Sequence, residues 1–525
     1  MFLETNFWKY INMIKQWLNK DLSGKESFFA FFLLLGIFIY PLINNNLPFR
    51  DDYVRLLKGN AWETLGRGSA NTLMHILSFN MGGLTNIAPL TFLLSLFILS
   101  SGLYLFTKHL IKEKNIFNHI ALSFLILFPL FLQNLSYQYD SLTMSSAVAL
   151  VLMAYIIKCS SWKNYLSTIL ILTIAIAFFQ PAIQLFIALV FMNILMKWKN
   201  EETKFKETMK GILLYLASLI IYFTLFRLTN ASTNRTKLIE IKDLFSNLKT
   251  AISYISEFLY GIWFTPFLIF FGIICFIFIY NFLIGLVKEK KITNKLIYVL
   301  AIPLIFLSIW GPFILLDEVF ARPRVFIVVN MIVAFIYLYA LKNKNIIRVS
   351  GALTCLTYLF FVSVSYQYGN LNKYEYEYNS MLSGWISKDI NSNKILYEKD
   401  LVYLNSHPDF APNSVKILEN LPFLKYIQLP YYNWFSRYDL ESHGVKNIYK
   451  DLNNVDDLYD WESICESKTA KLIIENQYYN IYIINNPKLR KEQQEHVSVW
   501  FKRSEDLCND PPNTIFKRNL FFREK

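Results

Sequence analysis

The sequence has few of the residues that build metal centres or disulfide frameworks. It contains five cysteines and six histidines in 525 residues. The histidines are scattered, so no cluster of His, Cys and carboxylate occurs at the spacing of metal ligands. The sequence also lacks a P-loop, a GxGxxG turn, a DxD motif and the helix-turn-helix, RNP and zinc-finger patterns. These absences argue against a nucleotide-sugar donor and against nucleic acid as a partner. The sequence requires no metal cofactor, although a divalent metal stays open.

Charge is missing from the middle of every long apolar run. Hydrophobic residues make up 54% of the chain, which indicates a polytopic membrane protein, and the runs recur as far as about residue 366. We predict about eleven transmembrane helices, near 27–43, 87–107, 117–133, 142–158, 164–179, 181–196, 211–228, 262–287, 296–316, 325–341 and 346–366. Ion-coupled transporters usually carry ionisable groups at the midplane. Their absence here favours an enzyme that works at the membrane boundary on a lipid substrate.

The connections between the predicted spans differ in charge. The even connections, which include "KHLIKEKN", "KWKNEETKFKETMK" and "KEKKITNK", are rich in lysine, whereas the odd ones include "NLSYQYDS", "QP" and "DEVFARPR". Lysine-rich loops are retained in the cytoplasm. The sequence therefore predicts a cytoplasmic N-terminal segment over 1–26, a membrane domain over 27–366 and an extracytoplasmic domain over 367–525. Most of the net charge of +13 then reflects orientation.

The first outer loop, 44–86, carries charges that the orientation rule disfavours. Its stretch "FRDDYVR" places Asp51 and Arg55 four residues apart, with Asp52 on another face. One of the two aspartates could take the proton of an acceptor hydroxyl, while arginines stabilise a departing phosphate. The alternative is a helix start with an aspartate as N-cap and Asp51–Arg55 as a surface pair. The loop's later part, "AWETLGRGSANTLMHILSF", has the apolar spacing of a helix that lies in the interface.

Other outer connections offer further polar candidates, each with a structural alternative. Asp140 could bind substrate hydroxyls or a metal, or it could cap the fourth span. Gln180 could contact a sugar, or "QP" could only form a tight turn. Arg322 and Arg324 could bind phosphate, or they could extend to lipid headgroups.

Several motifs, in their order along the chain, resemble a known family. They are "FRDDYVRLLKGNAWETLGRG" after the first span, "NLSYQYDSLTMSSAVAL" before the fourth, "AFFQPAIQLF" between the fifth and sixth, "RPRV" before the tenth and "YQYGNLNKYEYEYNSMLSGWISKDI" beyond the eleventh. This order resembles the GtrII-like serotype-converting glucosyltransferases that modify bacterial O-antigen. Each motif is short, but the resemblance extends over most of the chain.

The resemblance implies a GT-C type fold, an all-α polytopic membrane domain with its active site on the outer face of the bacterial inner membrane. It implies a polyprenyl phosphate sugar, commonly glucose on undecaprenyl phosphate, as the donor, and transfer with inversion to a glycan or lipid-linked oligosaccharide. The acidic position of the first loop matches Asp51 and Asp52, and the basic positions match Arg55 and Arg67. Gly68, which follows Arg67, departs from the larger or proline-like residue expected there.

The C-terminal region alternates strand-like runs, "KLIIENQ" and "YNIYIINN", with the helical run "SVKILENLPFLKYI". It is predicted to be a small α/β domain in the periplasm that could recognise the acceptor. Its two cysteines, Cys465 and Cys508, are predicted to form a disulfide.

These observations together predict a membrane glycosyltransferase. The predicted catalytic residues are Asp51 and Asp52; the predicted phosphate-binding residues are Arg55, Arg67, Arg322 and Arg324; the predicted substrate-binding residues are Tyr53, Trp62, Tyr139, Asp140 and Gln180. The alternative is a flippase or exporter of lipid-linked sugar, which would need no outer base. The sugar itself, glucose or for example an arabinose, stays open.

Overall fold

The structure is a computed structural model that describes residues 20–59, 62, 65–196, 204–228, 244–263, 265–289, 291–311, 322–399, 402–404, 409–428, 433–446, 470–485 and 495–501. Its helices, in chain order, are α1 (Gly24–Asn45), α2 (Asp51–Lys58), α3 (Gly68–Ser78), α4 (Leu90–Leu110), α5 (Ile116–Leu127), α6 (Leu132–Ser136), α7 (Asp140–Ile156), α8 (Trp162–Phe178), α9 (Ile183–Met196), α10 (Lys204–Leu228), α11 (Leu244–Trp263), α12 (Phe267–Lys288), α13 (Ile292–Leu307), α14 (Ile327–Leu341), α15 (Ile347–Ser392), α16 (Lys394–Tyr397), α17 (Pro412–Asn420), α18 (Leu424–Ile427) and α19 (Asn433–Ser442). The strands are β1 (Val402–Leu404), β2 (Ala470–Glu475), β3 (Tyr479–Asn485) and β4 (Glu495–Phe501).

The chain divides into two units. The first, which we call the helical unit, comprises Met1–Asn46 and Asn60–Gly369, and the second, the mixed unit, comprises Leu47–Gly59 and Asn370–Lys525. The short helix α2 therefore belongs to the mixed unit although it follows α1 directly in sequence. Helix α15 runs from the first unit into the second.

The helical unit carries the apolar helices. Among the described residues, five helices are long and apolar enough to cross a membrane, and the bent pair α5–α6 would make a sixth. Five shorter apolar helices lie at 140–156, 162–178, 180–196, 294–307 and 327–341. The chain is thus a mostly helical protein with several candidate membrane spans, while the count of eleven spans stays a prediction.

Helix α7 lies at the centre of the contacts that matter for the site. It packs along α4 and α8, and α8 in turn packs along α10. The approach of α7 to α4 is close because Gly102 has no side chain: a Cβ there would lie 3.1 Å from the Cα of Ala149. Helices α5 and α14 also pack together, and nearly all of their side chains are buried.

Two prolines interrupt the helices beside α7. Pro129 begins a 3-10 turn, Pro129–Phe131, and the chain bends by 47° between α5 and the segment that contains α6. Pro181 lies in a second turn, Gln180–Ala182, between α8 and α9. Proline lacks an amide hydrogen and cannot continue a helical hydrogen-bond ladder. At both interruptions, polar side chains of the connecting segments point into the protein.

The mixed unit contains a four-stranded sheet in the order β1-β4-β3-β2. Strands β1 and β4 are parallel, and the other neighbours are antiparallel. Alternate residues of two strands, Tyr479, Ile481 and Ile483 in β3 and Val497 and Val499 in β4, are buried against Leu382, Ile386 and Ile390 of α15. Burial of every second residue along a strand is expected when one face of the sheet packs against a helix.

Several sequence predictions can be compared with these elements. The runs "KLIIENQ" and "YNIYIINN" contain β2 and β3, and "SVKILENLPFLKYI" contains most of α17 and all of α18, as predicted. The helix predicted after Trp62 is present as α3 but begins only at Gly68. Most of helix α11 lies in the connection between the spans predicted at 211–228 and 262–287. The sequence did not predict this helix, because its apolar residues alternate with polar ones and form no continuous apolar run. Cys465 and Cys508 lie outside the described residues, so their disulfide stays a prediction.

Candidate functional site

The centre of the helical unit's polar site is a buried ion pair. The guanidinium Nη1 of Arg67 donates to Oδ1 of Asp140 at 3.0 Å, and the indole Nε1 of Trp62 donates to the same oxygen at 2.8 Å. The Asp140 side chain is 1% exposed and that of Arg67 is 11% exposed. Burying two charges is costly unless they are paired and hydrogen-bonded. The pair is therefore a specific feature of the fold and more than a surface ion pair.

The position of Asp140 corrects one of its two sequence interpretations. Helix α7 begins at Asp140 itself, its N-cap is Tyr139, and no side chain forms a capping hydrogen bond there. Asp140 is therefore not the N-cap of this helix, because its carboxylate oxygen is taken by Arg67 and Trp62. The sequence could not distinguish the two roles, since an aspartate at a helix start suits both.

Gln180 holds the other side of the Arg67 guanidinium. Its Oε1 accepts a hydrogen bond from Arg67 Nε at 3.2 Å, and its Nε2 donates to the backbone oxygen of Leu65 at 2.8 Å and to the hydroxyl of Tyr222 at 3.1 Å. The guanidinium also lies over the ring of Phe179, 5.1 Å from its centroid. The turn that contains Gln180 thus orients Arg67, while contact of Gln180 with a sugar stays a prediction.

The chain before α3 is shaped by a glycine with a left-handed backbone. Gly66 has φ of +69°, and a Cβ at this position would lie 2.4 Å from the ring of Phe226. The hydroxyl of Tyr222 donates to the backbone oxygen of Gly66 at 3.1 Å. At Gly68, the position that departs from the family pattern, a Cβ would have no atom within 4 Å. The constraint at this corner therefore lies at Gly66.

The aromatic residues predicted to bind substrate here are enclosed. Trp62 and Tyr139 are almost completely buried and belong to one packed cluster with Met74 and Leu142. The indole N–H of Trp62 is donated to Asp140. In this structure both rings are packed inside the protein, and Trp62 directly contacts the ion pair.

A second arginine is held by the segment that precedes Asp140. Arg324 is buried, and its guanidinium lies over the ring of Tyr137, 5.0 Å from the centroid. Its backbone N–H donates to Gln133 Oε1 at 3.2 Å, and its backbone oxygen accepts from Asn134 Nδ2 at 3.1 Å. An arginine that extends to lipid headgroups would be exposed at its tip. That alternative is wrong for Arg324, while Arg322 is half-buried.

The remaining polar residue of this segment, Gln138, joins it to two other connections. Its Nε2 donates to the backbone oxygen of Asn46 at 2.7 Å, and its Oε1 accepts from Asn86 Nδ2 at 2.8 Å. The hydroxyl of Thr91 donates to the backbone oxygen of Gln138 at 2.6 Å. The segment Leu132–Asp140 is therefore a buried polar scaffold.

The aspartates predicted to be catalytic lie in the mixed unit, on α2. Asp51 is the first residue of the helix, and Asp52 is fully buried. Oδ2 of Asp52 accepts from the backbone N–H of Phe49 at 2.9 Å, while the Asp52 N–H donates to the Phe49 oxygen at 3.1 Å. The residue that precedes the helix is Arg50, so the alternative of an aspartate N-cap is wrong. Arg55, which the same alternative places in a surface pair with Asp51, is buried.

Helix α2 packs against α19 within the mixed unit. The ammonium of Lys58 lies over the ring of Tyr438, 5.3 Å from the centroid, and Arg50 donates from Nη2 to the backbone oxygen of Ile427 at 2.8 Å. Burial, together with the negative charge of Asp439, raises the pKa of Tyr53 well above its ordinary value. Tyr53 therefore stays protonated at neutral pH and can donate a hydrogen bond.

The structure thus divides the predicted residues into two groups. Hydrogen bonds join Trp62, Arg67, Asp140 and Gln180 directly, whereas Asp51, Asp52, Tyr53 and Arg55 share one short helix of the other unit. Tyr222 and Tyr137 are contributors that the sequence did not single out. Tyr137 lies inside the quoted motif "NLSYQYDS", but Tyr222 is one aromatic residue in an apolar helix and carries no sequence signal. Within the described ranges, no group of three His, Cys, Asp or Glu side chains could hold a metal ion.

Comparison with known proteins shows a family and a relative to which this chain is similar. A family model described as "Glucosyl transferase GtrII" matches residues 40–339. The "Uncharacterized 55.3 kDa protein in gtrB 5'region" of Salmonella phage P22 is 27% identical over 230 residues, which are 42% of this chain and 47% of that protein. The chain thus spans about half the length of this relative. No solved structure matches. Because the family match covers more than half of the chain and includes both the Arg67–Asp140 site and helix α2, the protein belongs to the GtrII glucosyl transferase family.

Proposed function

We propose that the protein transfers a hexose, most simply glucose, from a polyprenyl phosphate to a hydroxyl of O-antigen or a related glycan. The lysine-rich even connections support a reaction on the outer face of the inner membrane, with the mixed unit's C-terminal part in the periplasm. Family membership supports glucosyl transfer, and the lack of a nucleotide-binding motif supports a lipid-linked donor. An undecaprenyl chain is the natural anchor for such a donor in a bacterial membrane.

One observation carries the proposal. The buried segment Leu132–Asp140 holds two arginines, Arg67 through the carboxylate of Asp140 and Arg324 through the ring of Tyr137. Buried guanidiniums in a helical membrane protein are costly, so their retention points to a function. Fixed arginines are suited to phosphate oxygens, because they donate several hydrogen bonds in a rigid plane. We assign these two residues to the donor phosphate.

The general base is assigned to α2. Oδ1 of Asp140 already accepts two hydrogen bonds, so this carboxylate serves to orient Arg67. Asp51 and Asp52 are then the candidates for taking the proton of the acceptor hydroxyl. Oδ2 of Asp52 is engaged by a backbone N–H, and the choice between the two aspartates is left to the experiment below. Arg55 is a further candidate for phosphate, and Arg322 shares that assignment.

The proposed step is a single displacement. The aspartate takes the proton of the acceptor hydroxyl while the acceptor oxygen forms a bond to C1 of the sugar. The bond from C1 to the phosphate oxygen breaks at the same time, and the polyprenyl phosphate leaves with that electron pair. Attack on the face opposite to the leaving group inverts the configuration at C1. The arginines stabilise the charge that develops on the phosphate, which is where fixed charge is most effective.

The proposal is tested by transfer assays with synthetic polyprenyl-phosphate glucose and an acceptor glycan. Asp51→Asn and Asp52→Asn are compared at matched expression, with Lys58→Gln as a control for an exposed charge on the same helix. One aspartate variant should lose transfer by about 100-fold or more, as expected for a general base, and should retain donor binding. Lys58→Gln should transfer normally.

Arg67→Gln and Arg324→Gln should instead weaken donor binding. If both aspartate variants transfer normally, α2 contains no base and the assignment is wrong. If both arginine variants bind donor like the wild type, the phosphate site is wrong as well. Movement of lipid-linked sugar across proteoliposomes by a transfer-inactive aspartate variant would favour the flippase.

A further inference from the structure

The helical unit also contains a polar cavity, which lies at the opposite end of α7 from Asp140. Its volume is about 420 Å³, and its lining comes from the ends of α4 and α7, the connection to α8, and α9 and α10. Helix α7 starts at Asp140 and places Tyr155 at this cavity, 15 residues later, so the two places are about 22 Å apart along the helix axis. The cavity is therefore separate from the Arg67–Asp140 site.

The lining of this cavity is amphiphilic. One part is apolar and includes Leu110, Phe186, Val190 and Leu214, whereas the other part carries charged and hydrogen-bonding groups. Ligand pockets commonly combine apolar walls with a few convergent polar groups in volumes of about 300–1,000 Å³. Both the size and the chemistry therefore suit an amphiphilic molecule better than a small hydrophilic ion.

The charge of the lining selects the sign of the ligand. Lys158, Lys210 and His109 line the cavity, and Glu207 is the acidic residue that accompanies them. Lys210 donates to Glu207 at 2.9 Å, so this carboxylate is already balanced by one lysine. Lys158 remains as positive charge in excess of the acid. The excess favours an anionic headgroup.

The surroundings of the cavity point to a lipid. It lies where α7 ends and α8 begins, at a lysine-bearing connection that the sequence places at the cytoplasmic boundary. A phosphate-bearing lipid there can place its headgroup near Lys158 while its first methylenes lie along Phe186 and Leu214. Basic pockets between membrane helices on this side bind anionic headgroups by the same physics. We propose that this cavity is a binding site for the phosphate headgroup of an anionic membrane lipid.

The test measures binding of short-chain lipids to the full-length protein in a nonionic detergent, without sugar donor. The probes are dioctanoyl phosphatidylglycerol, dioctanoyl phosphatidylcholine and inorganic phosphate. The anionic lipid should saturate one site, and the zwitterionic lipid should bind at least tenfold more weakly. Because no transfer is measured, this outcome is independent of the function proposed above.

Variants locate the site. Lys158→Gln should weaken binding of phosphatidylglycerol about tenfold, which is the effect expected for losing one charged hydrogen bond. Lys210→Gln should also weaken it, because the charge of Glu207 is then no longer balanced. Lys163→Gln, an exposed lysine near the start of α8 that does not line the cavity, is the matched control and should bind normally. Ser160→Trp, at an exposed lining position, should block binding by bulk alone.

Three outcomes would overturn the proposal. Equal losses for Lys158→Gln and Lys163→Gln would mean that the lipid only follows surface charge. Unchanged binding in Ser160→Trp and both lining lysine variants would mean that the lipid binds elsewhere. Saturation by inorganic phosphate at the same concentration as the lipid would mean that the ligand is a free anion.

Discussion

The strength of coupling between Arg67 and Asp140 follows from their burial. The proposed perturbation is a double-mutant cycle of Arg67→Gln, Asp140→Asn and the combined variant. Each single change removes one charge and leaves the other in a site where Asp140 is 1% exposed. The combined change leaves two neutral amides, which can still form hydrogen bonds with Trp62 and Gln180.

The expected magnitude comes from the 3.0 Å separation of the charged atoms. At an effective dielectric constant of about 20, two unit charges at this distance attract each other by about 5 kcal/mol. Removing one partner of a buried pair costs about 3–5 kcal/mol, largely because the remaining charge is left uncompensated. The combined variant should lose about as much stability as one single variant. The coupling free energy, which is the sum of the two single losses minus the combined loss, is therefore expected to be about 3 kcal/mol or more.

The assay is reversible unfolding in mixed micelles with increasing sodium dodecyl sulfate, followed by intrinsic fluorescence. The matched control is the exposed pair Lys373–Glu377, whose charged atoms are 3.8 Å apart on one helix. Its cycle of Gln substitutions should give a coupling of about 0.5 kcal/mol or less. Additive losses at Arg67 and Asp140, with coupling as small as the control, would refute the reasoning that burial makes this pair interdependent.

Three further perturbations test other parts of the site. Gly66→Ala should destabilise the protein by about 1–2 kcal/mol through its left-handed backbone alone, and by more because its Cβ would contact Phe226. Gly68→Ala should unfold like the wild type. Equal Tm values for the two variants would contradict this. Tyr137→Leu should raise the donor KM severalfold by releasing Arg324, since a desolvated cation–π contact contributes about 2 kcal/mol. Tyr137→Phe keeps an aromatic ring and should have the donor KM of the wild type. A raised KM in Tyr137→Phe together with a normal KM in Tyr137→Leu would disprove the stacking role. The raised pKa of Tyr53 means that its contribution to stability is complete below about pH 10, the ordinary pKa of tyrosine, and is lost above that pH because the unfolded chain ionises first. Tyr53→Phe should therefore reduce the fall in unfolding free energy between pH 9 and 11. An unchanged slope would show that Tyr53 ionises freely in the folded protein.

Much of the helical unit could be predicted from the sequence because apolar length is a local property. The run that starts near Phe28 became α1, and the runs before Lys108 and Lys288 became α4 and α12. Helix boundaries were less accurate where caps decide them. Ser23, for example, begins α1 earlier than hydropathy alone suggests, because its Oγ accepts from Glu26 N–H and Glu26 accepts from the Ser23 N–H.

The site was only partly predictable. Charge in the connections between the predicted spans singled out Arg67, Asp140 and Arg324, because charged residues beside apolar runs are few and conspicuous. Their partners could not be found in this way. Tyr222 is far from Arg67 in sequence, and nothing in an apolar helix distinguishes a tyrosine that meets Gln180 from one that faces lipid.

The sequence by itself determined the class of the protein, its apolar helices, its small C-terminal sheet and the polar residues to consider, because hydropathy, period and motif order are written along the chain. Only the tertiary structure decided which of these residues meet. It joined Arg67 to Asp140 across 73 positions of sequence and grouped α2 with the mixed unit. The physical reason is that burial and pairing depend on which helices pack together. That packing is a sum of many weak contacts that no single motif encodes.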